Sequence, residues 1–290
     1  MNQDNMNIQW YPGHMTKTRR QIEADLKLVD AVCEIVDARI PISSRNPDID
    51  AICGAKPRII VLNRMDLADP EATKRWAAYF RGKGMAVVIT DCKTRKGIND
   101  FVPAARSVLK EKLERDAARG MNRPVKVMVV GIPNVGKSTL INQISGRKGA
   151  KAENRPGVTR GKQWVTVDAG LQLLDTPGIL WAKFEDPNVG LMLAFTGAVK
   201  ENVIDIEELS SRLMELLWQY YPQMVKDRYG VDAAPDTPGY ELLEAAGKKR
   251  GYLMSGGVVN TERMAKVLLD EYRAGKLGRL TFEEPAEVEA

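Results

Sequence analysis

The sequence contains little cysteine and almost no histidine, and neither is arranged as a metal site or a disulfide framework requires. Its 290 residues include three cysteines, Cys33, Cys53 and Cys92, and a single histidine, His14. An odd number of cysteines without a CxxC pair argues against a disulfide framework and against a structural zinc cluster. Chemistry that needs a pair of histidines is excluded, and a reducing, cytoplasmic location is expected.

Long hydrophobic runs are also absent. No apolar stretch approaches the ~18 residues of a membrane-spanning helix, and the polar start Met1–Trp10 predicts no signal peptide. Hydrophobic residues make up 44% of the chain and charged residues 28%, which is the balance of a soluble globular protein. The formal net charge of +5 permits an RNA or phosphate partner without requiring one.

The first part of the chain alternates between predicted strands and helices. Short aliphatic runs predict buried strands at Ala31–Asp37, Arg58–Leu62, Met85–Ile89, Val125–Val130 and Leu171–Leu174. With helical stretches between them, this rhythm is typical of an α/β fold with a doubly wound, mostly parallel sheet. Beyond these strands only helical spacing remains, for example at Ile206–Tyr220. We therefore predict an α/β domain at 1–181, an all-α domain at 182–282 and a loose acidic tail at 283–290.

A phosphate-binding loop follows one of these strands. Gly131–Ser138 (GIPNVGKS) matches GxxxxGK[ST] between a strand and a helix, which is the context that the motif requires. Lys137 is expected to reach the β- and γ-phosphates as a catalytic residue, and Ser138 to bind Mg²⁺. The predicted nucleotide contacts of this loop are Asn134, Val135, Gly136, Lys137, Ser138 and Thr139. A chance glycine-rich turn is the alternative.

A second phosphate motif lies downstream, where Leu171–Gly178 is a predicted strand that ends in DxxG. Asp175 is expected to hold Mg²⁺, and the N–H group of Gly178 to contact a γ-phosphate. Between the two motifs, Thr159 offers a hydroxyl as a further candidate Mg²⁺ ligand. An ordinary loop threonine is the alternative for Thr159.

A base-recognition motif follows the strand at Arg58–Leu62. Asn63–Asp66 (NRMD) resembles the NKxD box of GTPases, with Arg64 in place of the usual lysine. A carboxylate at Asp66 accepts hydrogen bonds from guanine N1–H and N2–H₂, which adenine does not offer, so GTP rather than ATP is predicted. Asn63 is expected to tie the base to the phosphate loop, and the stem of Arg64 to lie over the base or ribose. After the next strand, Asp91 and Cys92 occupy the position of the loop that contacts guanine O6.

The order of these motifs is unusual, because the base box precedes the phosphate loop. This order predicts a circularly permuted P-loop GTPase, whose sheet can form if the original termini were close together. The DxxG segment then runs directly into the C-terminal domain, and we hypothesise that the nucleotide state repositions that domain.

The motifs and both ends of the chain resemble the ribosome biogenesis GTPase A family, the YlqF-type permuted GTPases. Trp10–Met15 (WYPGHM) resembles that family's WFPGHM opening, and Ser255–Gly257, Asp270–Arg273 and Gly275–Gly278 resemble its C-terminal signature. The resemblance implies a cytoplasmic GTPase that binds the immature large ribosomal subunit, promotes a late assembly step and is stimulated by that subunit. The expected cofactors are GTP or GDP, Mg²⁺ and K⁺, without DNA or membrane partners, and the free protein is expected to be monomeric.

Two residues carry expectations about hydrolysis. The position after DxxG, where Ras-like proteins place a water-orienting glutamine, is Ile179, which cannot do this. His14 is the candidate for positioning water, a role assigned to this histidine in the resembling family; RNA contact and simple packing are its alternatives. Asn134 is the candidate K⁺ ligand, because the resembling family and other potassium-stimulated GTPases carry asparagine there. Capping of the loop is the alternative for Asn134.

A basic surface is predicted in the C-terminal domain. Its candidate RNA contacts are Lys248, Lys249, Arg250, Lys266, Arg273 and Lys276. Composition alone favours a solvated face, and the family resemblance favours RNA. The alternatives for the whole protein are a GTPase switch for a non-ribosomal partner and an RNA-binding scaffold with weak hydrolysis.

Overall fold

The aliphatic runs of the sequence form the strands of one sheet. The computed structural model describes residues 15–121, 123–146, 163–168, 170–178, 180–181, 184, 186–199 and 205–289. Its strands are β1 (Ala31–Asp37), β2 (Arg58–Asn63), β3 (Ala86–Ile89), β4 (Val125–Gly131), β5 (Gln163–Asp168) and β6 (Leu171–Asp175). They lie in the order β3-β2-β1-β4-β6-β5. All neighbours are parallel except β5 and β6, which are antiparallel, so the predicted α/β fold with a mostly parallel sheet is confirmed.

Helices alternate with the strands and cover the sheet. They are α1 (Met15–Leu26), α2 (Asp48–Cys53), α3 (Pro70–Gly82), α4 (Phe101–Val108), α5 (Lys110–Ala118) and α6 (Lys137–Ser145). Every residue of β1 and β2 is buried, which requires cover on both faces of the sheet. On one face, Ile22 of α1 and Ile49 of α2 pack with Val32 of β1. The predicted strands are therefore the centre of the core.

The sequence analysis missed β5 because this strand lacks the continuous apolar pattern of the central strands. Trp164 is exposed and Val165 is buried, which is the alternation of an edge strand with one covered face. It pairs antiparallel with β6 and is the last strand on that side of the sheet.

The described part of the chain divides into two units, one within 15–184 together with 283–289, and one within 186–282. The second unit contains α7 (Pro187–Phe195), α8 (Ile206–Tyr220), α9 (Pro222–Tyr229), α10 (Gly239–Lys249) and α11 (Thr261–Arg273). Its core is lined by Leu213, Leu217, Leu242, Met264 and Leu268, among others. Among the described residues of this unit, strand-like pairing is limited to one isolated bridge between Leu253 and Val259. We call the two parts the α/β unit and the helical unit.

The acidic tail, which the sequence predicted to be loose, is held at its first residues within the α/β unit. The Glu283 carboxylate accepts the backbone N–H groups of Ile42 (2.6 Å) and Ser43 (3.0 Å). The indole N–H of Trp76 donates to the Glu283 carbonyl oxygen at 2.8 Å. Further on, Ala286–Glu289 forms the short helix α12. Glu283 departs from the expectation because its carboxylate satisfies two backbone donors that would otherwise need other partners.

Within the described ranges, no helix combines the length and apolar character needed to cross a bilayer.

Candidate nucleotide site

The carboxyl ends of the parallel strands bring the predicted motifs to one edge of the sheet. β4 ends at Gly131, where the phosphate loop begins, and β6 ends at Asp175 of the DxxG motif. β2 ends at Asn63 of the base box, opposite Asp37 at the end of β1. Motifs that are far apart in sequence therefore meet where doubly wound folds bind ligands.

The conformation of the phosphate loop depends on glycine. Gly136 has a φ of 103°, and a Cβ atom there would collide with the side-chain amide of Asn63. At Gly178, a Cβ atom would lie 3.0 Å from the Cα atom of Pro133. The phosphate loop is therefore in close contact with both the base box and the DxxG segment.

Lys137 and Asp175 form a buried ion pair at the centre of the site. The Lys137 Nζ lies 3.0 Å from the Asp175 Oδ1, and the two side chains are 7% and 3% exposed. Lys137 is the first residue of α6, and the free N–H groups of a helix N-terminus add positive potential to this site. Ser138 and Asp175 offer oxygen atoms, the donor type that Mg²⁺ prefers, so this pair of side chains fits that ion.

Asn63 connects three segments of the site. Its Nδ2 donates to the Val135 carbonyl oxygen at 2.7 Å. Its Oδ1 accepts the Cys92 N–H at 3.1 Å and the Thr90 hydroxyl at 3.2 Å. The side chain therefore joins the base box to the phosphate loop and to the loop after β3.

The guanidinium of Arg64 contacts both the phosphate loop and the end of β1. Its φ is 63°, its Nη2 donates to the Asn134 carbonyl oxygen at 2.7 Å, and its Nε lies 3.5 Å from an Asp37 oxygen. The guanidinium therefore links the base box to the phosphate loop, a contact for which its several donors suit it better than a lysine. Asp66, the predicted guanine ligand, is exposed at this edge.

Sequence reasoning missed Asp37 and Arg39 as parts of the site. Both are buried, and the Arg39 guanidinium donates to both carboxylate oxygens of Asp37, at 2.9 and 2.7 Å. Burial favours the neutral acid, but Arg39 and then Arg64 outweigh it and hold the pKa of Asp37 below its usual value. The sequence did contain a signal for Asp37. Like Asp175, it is a carboxylate at the end of a strand that pairs with the phosphate-loop strand β4.

Asp91 and Cys92, predicted to bind the base, are placed in the right loop but use their side chains internally. The Asp91 carboxylate accepts the N–H groups of Lys93 (2.8 Å) and Thr94 (3.3 Å) and also bonds the Thr94 hydroxyl. Burial raises the pKa of the Cys92 thiol to about 12, so the thiol is neutral near pH 7. This loop is therefore held in shape by Asp91 rather than presenting its carboxylate.

Two predicted site residues, His14 and Thr159, lie outside the described residues, as does Ile179. The next residue, Leu180, is buried.

The predicted RNA contacts of the helical unit separate into two groups. The Arg273 guanidinium donates to the carbonyl oxygens of Phe195 (2.9 Å) and Ala194 (3.0 Å), and Arg250 donates to the Arg228 carbonyl at 3.2 Å. Both guanidinium groups therefore contact other parts of the helical unit. In contrast, Lys248, Lys249, Lys266 and Lys276 are exposed, although Lys266 is paired with Glu262.

The chain is similar to known GTPases over nearly its whole length. Residues 126–220 match the family model described as 50S ribosome-binding GTPase. The ribosome biogenesis GTPase A of Priestia megaterium is 46% identical, over 98% of this chain and 99% of that protein. A GDP-bound structure of TM YlqF is 30% identical and superposes with a TM-score of 0.63 over 92% of this chain and all of that one. A GNP-bound structure of YlqF from T. maritima gives a TM-score of 0.61 over 93% of this chain and 98% of that one, also at 30% identity.

The sheet order and the converging motifs define a circularly permuted P-loop GTPase. The base box follows β2 and the phosphate loop follows β4, on either side of β1, and the Asn63 side chain bridges them, although their order along the chain is reversed. With near full-length identity of this degree, the chain belongs to the ribosome biogenesis GTPase A family. The resemblance stated from the motifs is thereby confirmed.

Proposed function

We propose that this GTPase binds the immature large ribosomal subunit, promotes a late step of its maturation, and hydrolyses GTP in response to that subunit. The observation that carries the proposal is the convergence of the base box, the phosphate loop and the buried Lys137–Asp175 pair in a chain of this family. The family model that matches residues 126–220 is described as ribosome-binding, which supports the same partner.

In the proposed complex with GTP, each of the segments described above contacts a different part of the nucleotide or the Mg²⁺ ion. Asp66 accepts hydrogen bonds from guanine, and Asn63 keeps the base box in register with the phosphate loop. Lys137 and the backbone N–H groups at the start of α6 hold the β- and γ-phosphates, with the Gly178 N–H group as a further donor. Ser138 and Asp175 hold Mg²⁺, with Thr159 as a further ligand. When bound, Mg²⁺ neutralises negative charge on the phosphate oxygens.

For the attacking water, we propose His14 as the positioning group. The residue after DxxG is Ile179, whose hydrocarbon side chain cannot orient water, and the next residue, Leu180, is also apolar and is buried. A His14→Ala variant should bind GTP as the wild type does but lose most subunit-stimulated hydrolysis, which single-turnover rates measure. Unchanged rates would assign His14 to another role.

We propose that Asn134 helps to hold K⁺ against the phosphates. Its backbone is in the left-handed region with φ 59°, and Arg64 holds its carbonyl oxygen. The expected result is faster hydrolysis in K⁺ than in Na⁺ buffer for the wild type, and loss of this difference in Asn134→Ala. Equal wild-type rates in both buffers would remove K⁺ from the mechanism.

The proposed partner surface lies in the helical unit. Lys248, Lys249 and Lys276 are exposed, and phosphate neutralisation by such groups suits rRNA. We place the protein in the cytoplasm, as a monomer when free, without DNA or membrane partners.

The test of this function is GTP turnover in K⁺ buffer with and without purified immature large subunits. Stimulation by the subunits, together with co-sedimentation in the presence of a non-hydrolysable GTP analogue, is expected. Small subunits at the same concentration are the control and should not stimulate. If large subunits do not change the rate of GTP turnover, the protein is still a GTPase but its partner is not the ribosome. If it binds large subunits with little hydrolysis, an RNA-binding scaffold is favoured.

A further inference from the structure

The chain between α10 and α11, residues 251–259, forms a rigid loop on the helical unit. The Met254 N–H donates to the Val258 carbonyl at 2.8 Å, and the Asn260 N–H donates to the Tyr252 carbonyl at 2.7 Å. Gly256 and Gly257 turn the loop with φ values of 85° and 80°, which L side chains rarely adopt. We call this segment the 251–259 loop.

The base of the loop is anchored on α10. Val259 is 8% exposed, and the absence of a side chain at Gly247 makes room for it, because a Cβ atom there would lie 2.7 Å from the Val259 Cγ1. The Tyr252 N–H also donates to the Gly247 carbonyl at 2.9 Å. Since the loop is already ordered, binding through it loses little conformational entropy.

The rigid loop displays apolar side chains to solvent. Leu253 is 53% exposed, Met254 50% and Val258 60%. Single exposed apolar residues are common on protein surfaces, but here three large ones lie on one short loop. Clusters of this kind mark contact sites. Next to them, the Arg263 guanidinium lies over the Tyr252 ring, 4.3 Å from its centroid.

The positive charge of the chain around this patch favours an anionic partner. From Lys248 to Thr261 the sequence carries three cationic residues and no aspartate or glutamate. Lys248 and Lys249 are exposed, and no ion pair joins either of them to a carboxylate in the described part of the chain. An anionic partner with flat apolar faces fits both features, and RNA offers these as phosphates and as unstacked bases.

We propose that the 251–259 loop is an RNA-binding wedge, in which Leu253, Met254 and Val258 pack on unstacked rRNA bases while Lys248 and Lys249 contact the flanking phosphates. This inference rests on the proposed function. To the proposed contacts between lysines and phosphates, it adds contacts between apolar side chains and rRNA bases. Insertion of apolar side chains against base steps is an established way for proteins to bind nucleic acid.

The experiment compares full-length variants across a salt series. The triple variant Leu253→Ser/Met254→Ser/Val258→Ser is set beside Lys248→Ala/Lys249→Ala and the control Tyr240→Ser, whose side chain is 62% exposed in α10. Affinity is measured for large subunits and for large-subunit rRNA freed of protein, with a non-hydrolysable GTP analogue present. Circular dichroism checks that each variant folds, and Met254→Ser alone replaces the triple variant if the latter does not.

The two kinds of variant should weaken binding in different ways. Loss of base stacking should cost the triple variant about 10-fold or more in affinity for both targets, with an unchanged slope of log K against log salt. Loss of two phosphate contacts should reduce that slope by roughly 1.5 in the lysine variant. Tyr240→Ser should bind as the wild type does.

Three outcomes would overturn the proposal. They are wild-type affinity of the triple variant, a reduced salt slope in that variant, and a defect with subunits but not with protein-free rRNA. The last would identify a ribosomal protein as the occupant. If the wild type itself binds neither target, the proposed function fails instead, so the two failures are distinguishable.

Discussion

The charged residues predicted to be functional lie in different surroundings in the α/β unit and in the helical unit. In the α/β unit, the buried pairs Lys137–Asp175 and Arg39–Asp37 each have their carboxylate at the end of a strand, where the site is built. In the helical unit, the Arg273 guanidinium donates to the Phe195 carbonyl oxygen, whereas Lys248 is exposed. The sheet fixes the position of a carboxylate at the end of a strand. The role of a long charged side chain on a helix depends instead on which groups lie within its reach.

The largest effect is expected when the buried charge of the α/β unit is removed. Lys137→Ala should lower single-turnover GTP hydrolysis roughly 1,000-fold, because it deletes a phosphate ligand and leaves the Asp175 carboxylate buried without its cation. Lys74→Ala is the matched control, since Lys74 is an exposed residue of α3 paired only with Glu71 among the contacts of the described chain. A Lys137→Ala rate within tenfold of the wild type would break the comparison.

A smaller but more specific effect is expected at the exposed carboxylate of the base box. Asp66→Asn should weaken GTP binding about 100-fold or more, because an amide N–H would then face the guanine N–H groups. Xanthosine triphosphate, which presents a carbonyl where guanine has its amino group, should bind the variant better than GTP does. Competition with a fluorescent nucleotide measures both, and parallel losses for the two nucleotides would place Asp66 outside the base contact.

The smallest effect of the three concerns stability within the helical unit. The buried Glu271 carboxylate bonds the guanidinium of Arg228 and the Tyr229 hydroxyl, so Glu271→Gln should destabilise this unit by about 1–3 kcal/mol. Hydrogen exchange in α9 and α11 measures this locally. Glu262→Gln, which alters an exposed pair with Lys266, is the control and should change protection by less than about 0.5 kcal/mol.

The same residue gives a dependence on pH. Burial opposes ionisation of Glu271, but Arg228 and Tyr229 outweigh it and lower the pKa of this carboxyl. Its ionised form therefore stabilises the folded unit above the unfolded pKa of about 4.3, and that contribution disappears as the pH falls through the lower folded pKa. Glu271→Gln should lose less protection than the wild type over this acid range. An identical acid loss would show that other carboxylates govern it.

Much of the α/β unit was predictable from sequence because its strands are short, apolar and buried on both faces. Asn63, Lys137 and Asp175 were found because each follows such a strand within a recognisable motif. β5 was missed because an edge strand alternates polar and apolar residues and lies outside that pattern. Glu283 was assigned to a loose tail because its backbone partners at Ile42 and Ser43 are remote in the chain.

The sequence by itself determined the class of fold, the motif order and the guanine nucleotide, since these depend on local patterns of burial and on residue types at fixed spacing. Only the tertiary structure decided that Arg64 bonds the Asn134 carbonyl, that the Asp91 carboxylate bonds its own loop, and that Arg273 bonds the Phe195 carbonyl. Long polar side chains can reach many partners, and their choice depends on which backbone groups folding places within about 3 Å of them. The spacing of residues in the sequence does not determine these distances in the folded chain, so the partners could not be predicted from it.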